Sequence, residues 1–276
     1  MSRIATTFAT LATAGRGAFM PFFCAGDPDT AFATDAILAA QVAGADIIEL
    51  GVPFSDPIAD GPVIQAAYFR ALENGFKVAD AFETVRSARA RGLTIPVVAM
   101  ASITLVEKMG ATAFVSRSAD AGFDAVLTPD LPVDRWNGLD AIIRDAGLDA
   151  IAMLAPASSK ERRQLAIENG SGFIYQMAVA GVTGARQTVA AELESRVRSL
   201  RAMTSLPVVA GFGISTPDHI RDVCRYADGA IVGSALVGQL ADDQRSGLPK
   251  ADMIARLSDA VRAFAAATVR AETANA

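Results

Sequence analysis

The chain is poor in the side chains that most often carry metal or covalent chemistry. It has one histidine, His219, in 276 residues. A metal-dependent aldolase or isomerase draws on a cluster of histidine ligands, so that class is excluded. Lysine is also scarce: Lys77, Lys108, Lys160 and Lys250 all fall in helical or loop segments away from strand ends. A Schiff-base aldolase needs a lysine beside its substrate, so that class is excluded as well. The two cysteines, Cys24 and Cys224, belong to no CxxC or CxxH motif. They read as core thiols of a cytoplasmic protein, not as a disulfide framework. Aromatics make up only 7% of residues, and no apolar run reaches the eighteen or so positions of a membrane span. The net charge is -5 with no block of one sign, which excludes a nucleic-acid footprint. Before Asp27 there is no acid, only Arg3 and Arg16. Ile4, Phe8 and Leu11 recur there at helical spacing, so a short amphipathic helix is expected rather than a transit peptide.

About half of the residues are apolar, and they come in short continuous runs. Such runs suit strands covered on both faces. Strands are expected at residues 18–23, 45–50, 95–100, 123–130, 148–156, 172–178, 206–214 and 228–235. A helical pattern follows each one. "AGAD", "AGFD", "AGLD" and "YADG" recur where a helix gives way to a strand. Glycine ends the helix and aspartate opens the strand. Eight such units without a Gly-rich loop after the first strand predict a (β/α)8 TIM barrel with an extra N-terminal helix. A doubly wound open sheet is the alternative. No linker interrupts the pattern, so residues 1–276 are expected to form a single domain.

Barrel enzymes place their chemistry at the C-terminal ends of the strands. The second strand ends in "IIELGVPFSDPIADGP". The two-residue period of a strand puts Ile47 and Glu49 on one face, the barrel interior. Desolvation there raises a carboxyl pKa and makes Glu49 a candidate acid–base, with a structural pairing to arginine as the competing explanation. Asp60 follows in a loop stiffened by Pro53, Pro57 and Pro62, a candidate for presentation to substrate. Asp56 and Asp60 are also ordinary turn residues. Glycine-rich turns follow the last three strands: Gly181-Val182-Thr183-Gly184, Gly211-Phe212-Gly213 and Gly233-Ser234. Backbone N–H groups at such turns, with a helix opening at Ser234, predict a phosphate site.

Read in order, "FFCAGDPD", "IELGVPFSDPIADGP", "PDLP", "AGVTGAR", "GFGIS" and "DGAIVGSA" resemble the tryptophan synthase alpha subunit, across essentially the whole chain. The resemblance implies a carbon–carbon lyase that cleaves indole-3-glycerol phosphate to indole and glyceraldehyde 3-phosphate without a metal. It implies that Glu49 protonates the indole ring at C3 and that Asp60 holds the indole N–H. Tyr175 would support that site, and Thr183 would belong to a loop closing over the substrate. Gly184, Gly213, Gly233 and Ser234 would bind the phosphate. No cofactor is implied in this chain. The family's partner is a PLP-dependent beta subunit in an alpha2beta2 complex, faced by Asp56, Pro57, Asp130 and Pro132. Alternatives are a stand-alone lyase releasing free indole and a non-catalytic regulatory subunit. The chain departs from the family pattern after the third strand, at Ala101-Ser102-Ile103-Thr104-Leu105, and at Ala178-Val179.

Overall fold

A computed structural model describes residues 1–178, 186–211 and 213–270. Strands and helices alternate as the sequence pattern requires. The strands are β1 (Ala18–Cys24), β2 (Ile48–Gly51), β3 (Val97–Met100), β4 (Ala125–Leu127), β5 (Asp149–Ala150), β6 (Ala152–Leu154), β7 (Ile174–Met177), β8 (Val208–Gly211) and β9 (Gly229–Val232). All the pairings are parallel, in the order β5-β4-β3-β2-β1-β9-β8-β7-β6. The two ends of that order, β5 and β6, are parted only by Ile151. They are one broken strand, so the order meets itself and the sheet closes into a barrel. The expected fifth strand is thus two pieces, and the sixth, seventh and eighth expected strands are β7, β8 and β9.

The helices are α1 (Arg3–Thr13), α2 (Thr30–Ala43), α3 (Pro62–Glu73), α4 (Val78–Ala90), α5 (Ile103–Met109), α6 (Ala111–Ala121), α7 (Leu139–Asp145), α8 (Lys160–Asn169), α9 (Arg186–Arg201), α10 (Pro217–Cys224), α11 (Ser234–Arg245) and α12 (Lys250–Ala266). Where one helix was expected from the third strand to Ala121, there are two. Gly110, at φ +87°, breaks it into α5 and α6, since only glycine takes that backbone conformation readily. The fourth strand also stops early, at Leu127 rather than at residue 130. Pro129 has no N–H to continue the ladder, and a single 3-10 turn at Val133–Arg135 leads on to α7.

Side chains alternate between two separate cores. Met20, Phe22, Ile47, Val98, Leu127 and Ile231 pack inside the barrel. Phe19, Phe23, Ile48, Leu50, Val97 and Ala99 pack outward under the helices. The expected amphipathic helix is α1, capped by Ser2, whose side chain accepts from the Ala5 N–H. It buries Ile4, Phe8 and Leu11 against the lower end of the barrel. The Phe8 and Phe173 rings lie 6.0 Å apart there.

The aspartates that open strands have a structural task. Asp46 precedes β2, and its carboxylate accepts the Phe19 N–H of the neighbouring β1 at 2.8 Å. Asp124 precedes β4 and accepts the Val97 N–H of β3 at 2.7 Å. Asp228 precedes β9 and accepts the Val208 N–H of β8 at 3.0 Å. Each holds a donor at the lower end of the adjacent strand and so sets the register of one strand against the next. Arginines neutralise them: Arg16 for Asp46, Arg3 and Arg89 for Asp124, and Arg201 and Arg270 for Asp228.

Replacing Asp124 by alanine leaves a buried N–H and the half-buried Arg89 without their acceptor. The expected loss of stability is about 2–4 kcal/mol, with a smaller loss for Asp124→Asn, which keeps an acceptor. Urea unfolding of the two variants checks both the size and the order.

Candidate active site

Glu49 projects inward from β2, in register with Phe22 of β1 on one side and Val98 of β3 on the other. It is 2% exposed. Its Oε1 is buried and has no hydrogen-bond partner, and no ion pair to it occurs among the described residues. The competing explanation, a structural pairing with arginine, finds no partner among the described residues. Burial pushes its pKa from the usual 4.5 up to about 8, with the nearby Asp60 adding to the shift. Two residues on, Gly51 leaves room for the cover of this site. A Cβ there would lie 2.4 Å from both the Phe22 ring and the Tyr68 hydroxyl.

Asp60 sits in the loop between β2 and α3. Its N–H donates to Pro57 O at 3.1 Å, which makes the turn. Gln65, one turn into α3, donates to both Asp60 O (2.8 Å) and Pro57 O (3.2 Å) and staples the loop to the helix. Pro62 starts α3 at its first turn, where a missing N–H costs nothing. Burial and then the Asp130 carboxylate push the Asp60 pKa up to about 7.

Glu49 and Asp60 face one cavity of about 260 Å³ at the C-terminal end of the barrel. Tyr175 of β7 lines it too, and so do Gly213, Gly233 and Ser234. Five of the sequence-derived groups thus share one space with Asp60. Tyr175 is 4% exposed, and its ring lies so close over Gly211 that a Cβ there would come within 2.3 Å of the hydroxyl. Burial, with Glu49 and Asp60 nearby, holds its hydroxyl well above the usual range. Thr183 and Gly184 lie outside the described residues.

The cavity has two unlike ends. Phe22, Ile64, Met100, Pro129 and Met153 form an apolar wall around the carboxyl groups. Gly213, Ser215, Gly233, Ser234 and Ala235 form the other end, at the start of α11. The first turn of α11 carries no acidic residue. Its N–H groups at Leu236 and Val237 turn back to Gly233 O, while those of Ser234 and Ala235 have no backbone acceptor among the described residues. Unused N–H groups at a helix start, beside a glycine at φ +75°, suit an anion. Among the described residues, no lysine lines the cavity. His219 lies in the first turn of α10, where its Nδ1 accepts the Ser215 N–H at 3.3 Å, a capping role. Cys24 and Cys224 are free and buried, as core thiols should be.

The four residues assigned to a partner face divide. Asp56 is exposed, with its carboxylate accepting only from Ser55 Oγ; Pro57 is half-buried, and Pro132 is exposed. Asp130 instead turns its carboxylate inward, to Ser102 Oγ at 2.6 Å and the Ile103 N–H at 2.9 Å. The sequence reading missed the apolar lining from Phe22, Met100, Pro129 and Met153. Their positions at strand ends marked them, but nothing in their residue types separated them from core. It also missed Tyr68, which α3 places beside Gly51.

The model of the family "Tryptophan synthase alpha chain" matches residues 8–268. The chain belongs to that family. The tryptophan synthase alpha chain of Chloroflexus aurantiacus is 42% identical over 270 residues, covering 98% of this chain and 100% of that one. That of Methylococcus capsulatus is 44% identical over 244 residues, covering 88% and 91%. Among solved structures, tryptophan synthase subunit alpha from Legionella pneumophila superposes with a TM-score of 0.89 at 29% identity, covering 97% and 98%. A chain of Mycobacterium tuberculosis tryptophan synthase gives 0.86 at 34% identity, covering 98% and 99%. Tryptophan synthase alpha chains are lyases that cleave indole-3-glycerol phosphate in tryptophan biosynthesis. The unlike ends of the cavity match that substrate, which joins an apolar ring system to a phosphate.

Proposed function

We propose that this alpha chain cleaves indole-3-glycerol phosphate with Glu49 as the general acid–base and Asp60 as the group that holds the indole N–H. The observation that carries the reading is the buried, unpaired Glu49 carboxyl in a cavity whose other end is the start of α11. With its pKa near 8, Glu49 keeps its proton at neutral pH and donates it to C3 of the indole ring. Positive charge then develops at the ring nitrogen, where the Asp60 carboxylate stabilises it. Glu49, now ionised, takes the proton of the hydroxyl next to the ring. The carbonyl of glyceraldehyde 3-phosphate forms, the carbon–carbon bond breaks, and its electron pair returns to the ring as indole. Glu49 ends the cycle protonated, as it began.

Gly213, Gly233 and Ser234, with Gly184, hold the phosphate and fix the ring between the two carboxyl groups. Tyr175 packs beside Glu49 and keeps water from it, and Thr183 belongs to the loop that closes the site. Residues 1–276 act as one domain, in the cytoplasm. A beta subunit binds the exposed side of the β2–α3 loop, around Asp56 and Pro57, together with Pro132, in an alpha2beta2 complex. Ile58 is 85% exposed in that loop and supports this placement. PLP belongs to that beta subunit.

Glu49→Gln is expected to reduce cleavage by about 10³-fold or more and to leave substrate binding largely intact. Asp60→Asn is expected to cost about 10²-fold in kcat. Full turnover by Glu49→Gln in a steady-state assay of indole release would refute the mechanism. The active form needs Asp60 ionised and Glu49 protonated. So kcat/KM should rise with pH as Asp60 loses its proton near 7 and fall as Glu49 loses its own near 8. A profile that stays flat from pH 5 to 7 would contradict this pairing. Adding the cognate beta subunit should raise the cleavage rate of the isolated chain; a rate already maximal alone would favour a stand-alone lyase.

A further inference from the structure

Two helices flank the substrate cavity, and both start at it. Asp60 precedes Gly61, the N-cap of α3, and Pro62 and Ile64 of that helix line the carboxyl end. Gly233 caps α11, and Ser234 and Ala235 line the anion end. The two helices, 12 residues each, lie side by side and run the same way. Near their starts, a Cβ on Gly238 would be 3.8 Å from Val63 Cγ1. Near their ends, Arg70 and Gln244 donate to one shared oxygen. These two meeting points are about 10 Å apart along each helix, at a rise of about 1.5 Å per residue.

The shared acceptor is Asp27, in the loop between β1 and α2, and it is 6% exposed. Arg70 Nε donates to its Oδ1 at 3.1 Å and Arg70 Nη2 to its Oδ2 at 2.6 Å. Gln244 Nε2 donates to Oδ1 at 3.2 Å. Asn74, the C-cap of α3, adds a bond from Nδ2 to Pro28 O at 3.0 Å. None of these four residues lines the substrate cavity. A largely buried ion pair adds little net stability, because the loss of water offsets much of the attraction. What this one supplies is direction, since a guanidinium offers its donors in a rigid fork. β1 is paired on both sides within the barrel, so the loop after it is a fixed reference for both helices.

We propose that Asp27, Arg70 and Gln244 are positioning residues for the lyase reaction: they tie the far ends of α3 and α11 to one point on the barrel and so set the spacing between the carboxyl end and the anion end of the cavity. The phosphate is then held at the start of α11 while the ring lies where Glu49 and Asp60 act on it. A shift of about 1 Å between the two helix starts would lower the rate by up to about 10²-fold, although each end kept its own affinity. This proposal rests on the two-ended reading of the cavity given above.

The test separates the two ends from their spacing. NMR titrations of the full chain give its affinity for indole and for inorganic phosphate singly, and steady-state indole release gives turnover of the joined substrate. Asp27→Asn is expected to lower kcat about tenfold or more, while each single affinity changes by less than about twofold. Arg70→Lys keeps the charge but not the fork, and should lower kcat about threefold in the same pattern. Gln244→Ala frees α11 alone and should lose less than Asp27→Asn. An unchanged kcat in Asp27→Asn overturns the proposal. So does a fall in kcat matched by an equal fall in either single affinity, which marks a general loosening of the site. If Asp27→Asn does not fold, Arg70→Lys decides by the same two readings. Failure of the acid–base reading shows elsewhere, as turnover retained in Glu49→Gln and Asp60→Asn.

Discussion

A carboxyl group taken out of water with one oxygen unpaired must keep its proton or find a cation, and Glu49 has no cation among the described residues. The consequence is a fold that works against its own stability. A rise in pKa from 4.5 to about 8 makes the ionised form roughly 5 kcal/mol less favourable in the folded chain than in water. The stability this group contributes is intact below pH 4.5 and is lost as pH rises through about 8. A structural carboxylate would have been given an arginine, as Asp46, Asp124 and Asp228 are. The lone acid at the mouth of the barrel is what the surrounding apolar wall, the glycine at residue 51 and the loop with three prolines all serve.

The acids of the active site are treated unlike the three that tie strands together at the lower end of the barrel. At the lower end, aspartates are paired with arginines and tie strand to strand. At the upper end, Glu49 and Asp60 have no cation among the described residues, although Asp27 there is paired with Arg70. A barrel permits this because its core is continuous and its loops are independent. Stability is secured below, where α1 and the aspartates sit, and proton transfer is set above, where polar groups lie among apolar ones.

Much of this was legible in the residue pattern. The two-residue period of "DIIEL" fixed the inward direction of Glu49, and the glycines after β8 and β9 pointed to the anion end. The helix–glycine–aspartate rhythm counted the units of the barrel. Other features could not be read. The break at Ile151 depends on how the barrel closes, and the sequence there looks like one strand. Nothing in "PDLP" itself shows which way Asp130 turns. Its direction is decided by Ser102 and the Ile103 N–H, twenty-seven and more residues away in sequence. Contacts between loops of neighbouring units leave no local periodicity.

The aspartates before β2, β4 and β9 also divide the barrel. Each reaches back to the strand before it, so β1 with β2, β3 with β4, and β8 with β9 form pairs whose lower edges close without help from the rest. These pairs are natural cooperative units, since opening one strand of a pair exposes a donor and a charged acceptor of the other. At three of its four positions, the rhythm seen in the sequence is therefore a seam pattern; Asp149, the fourth, has a buried oxygen without a partner. It marks where two strands are expected to open together, and where units of this kind could be duplicated or exchanged as wholes.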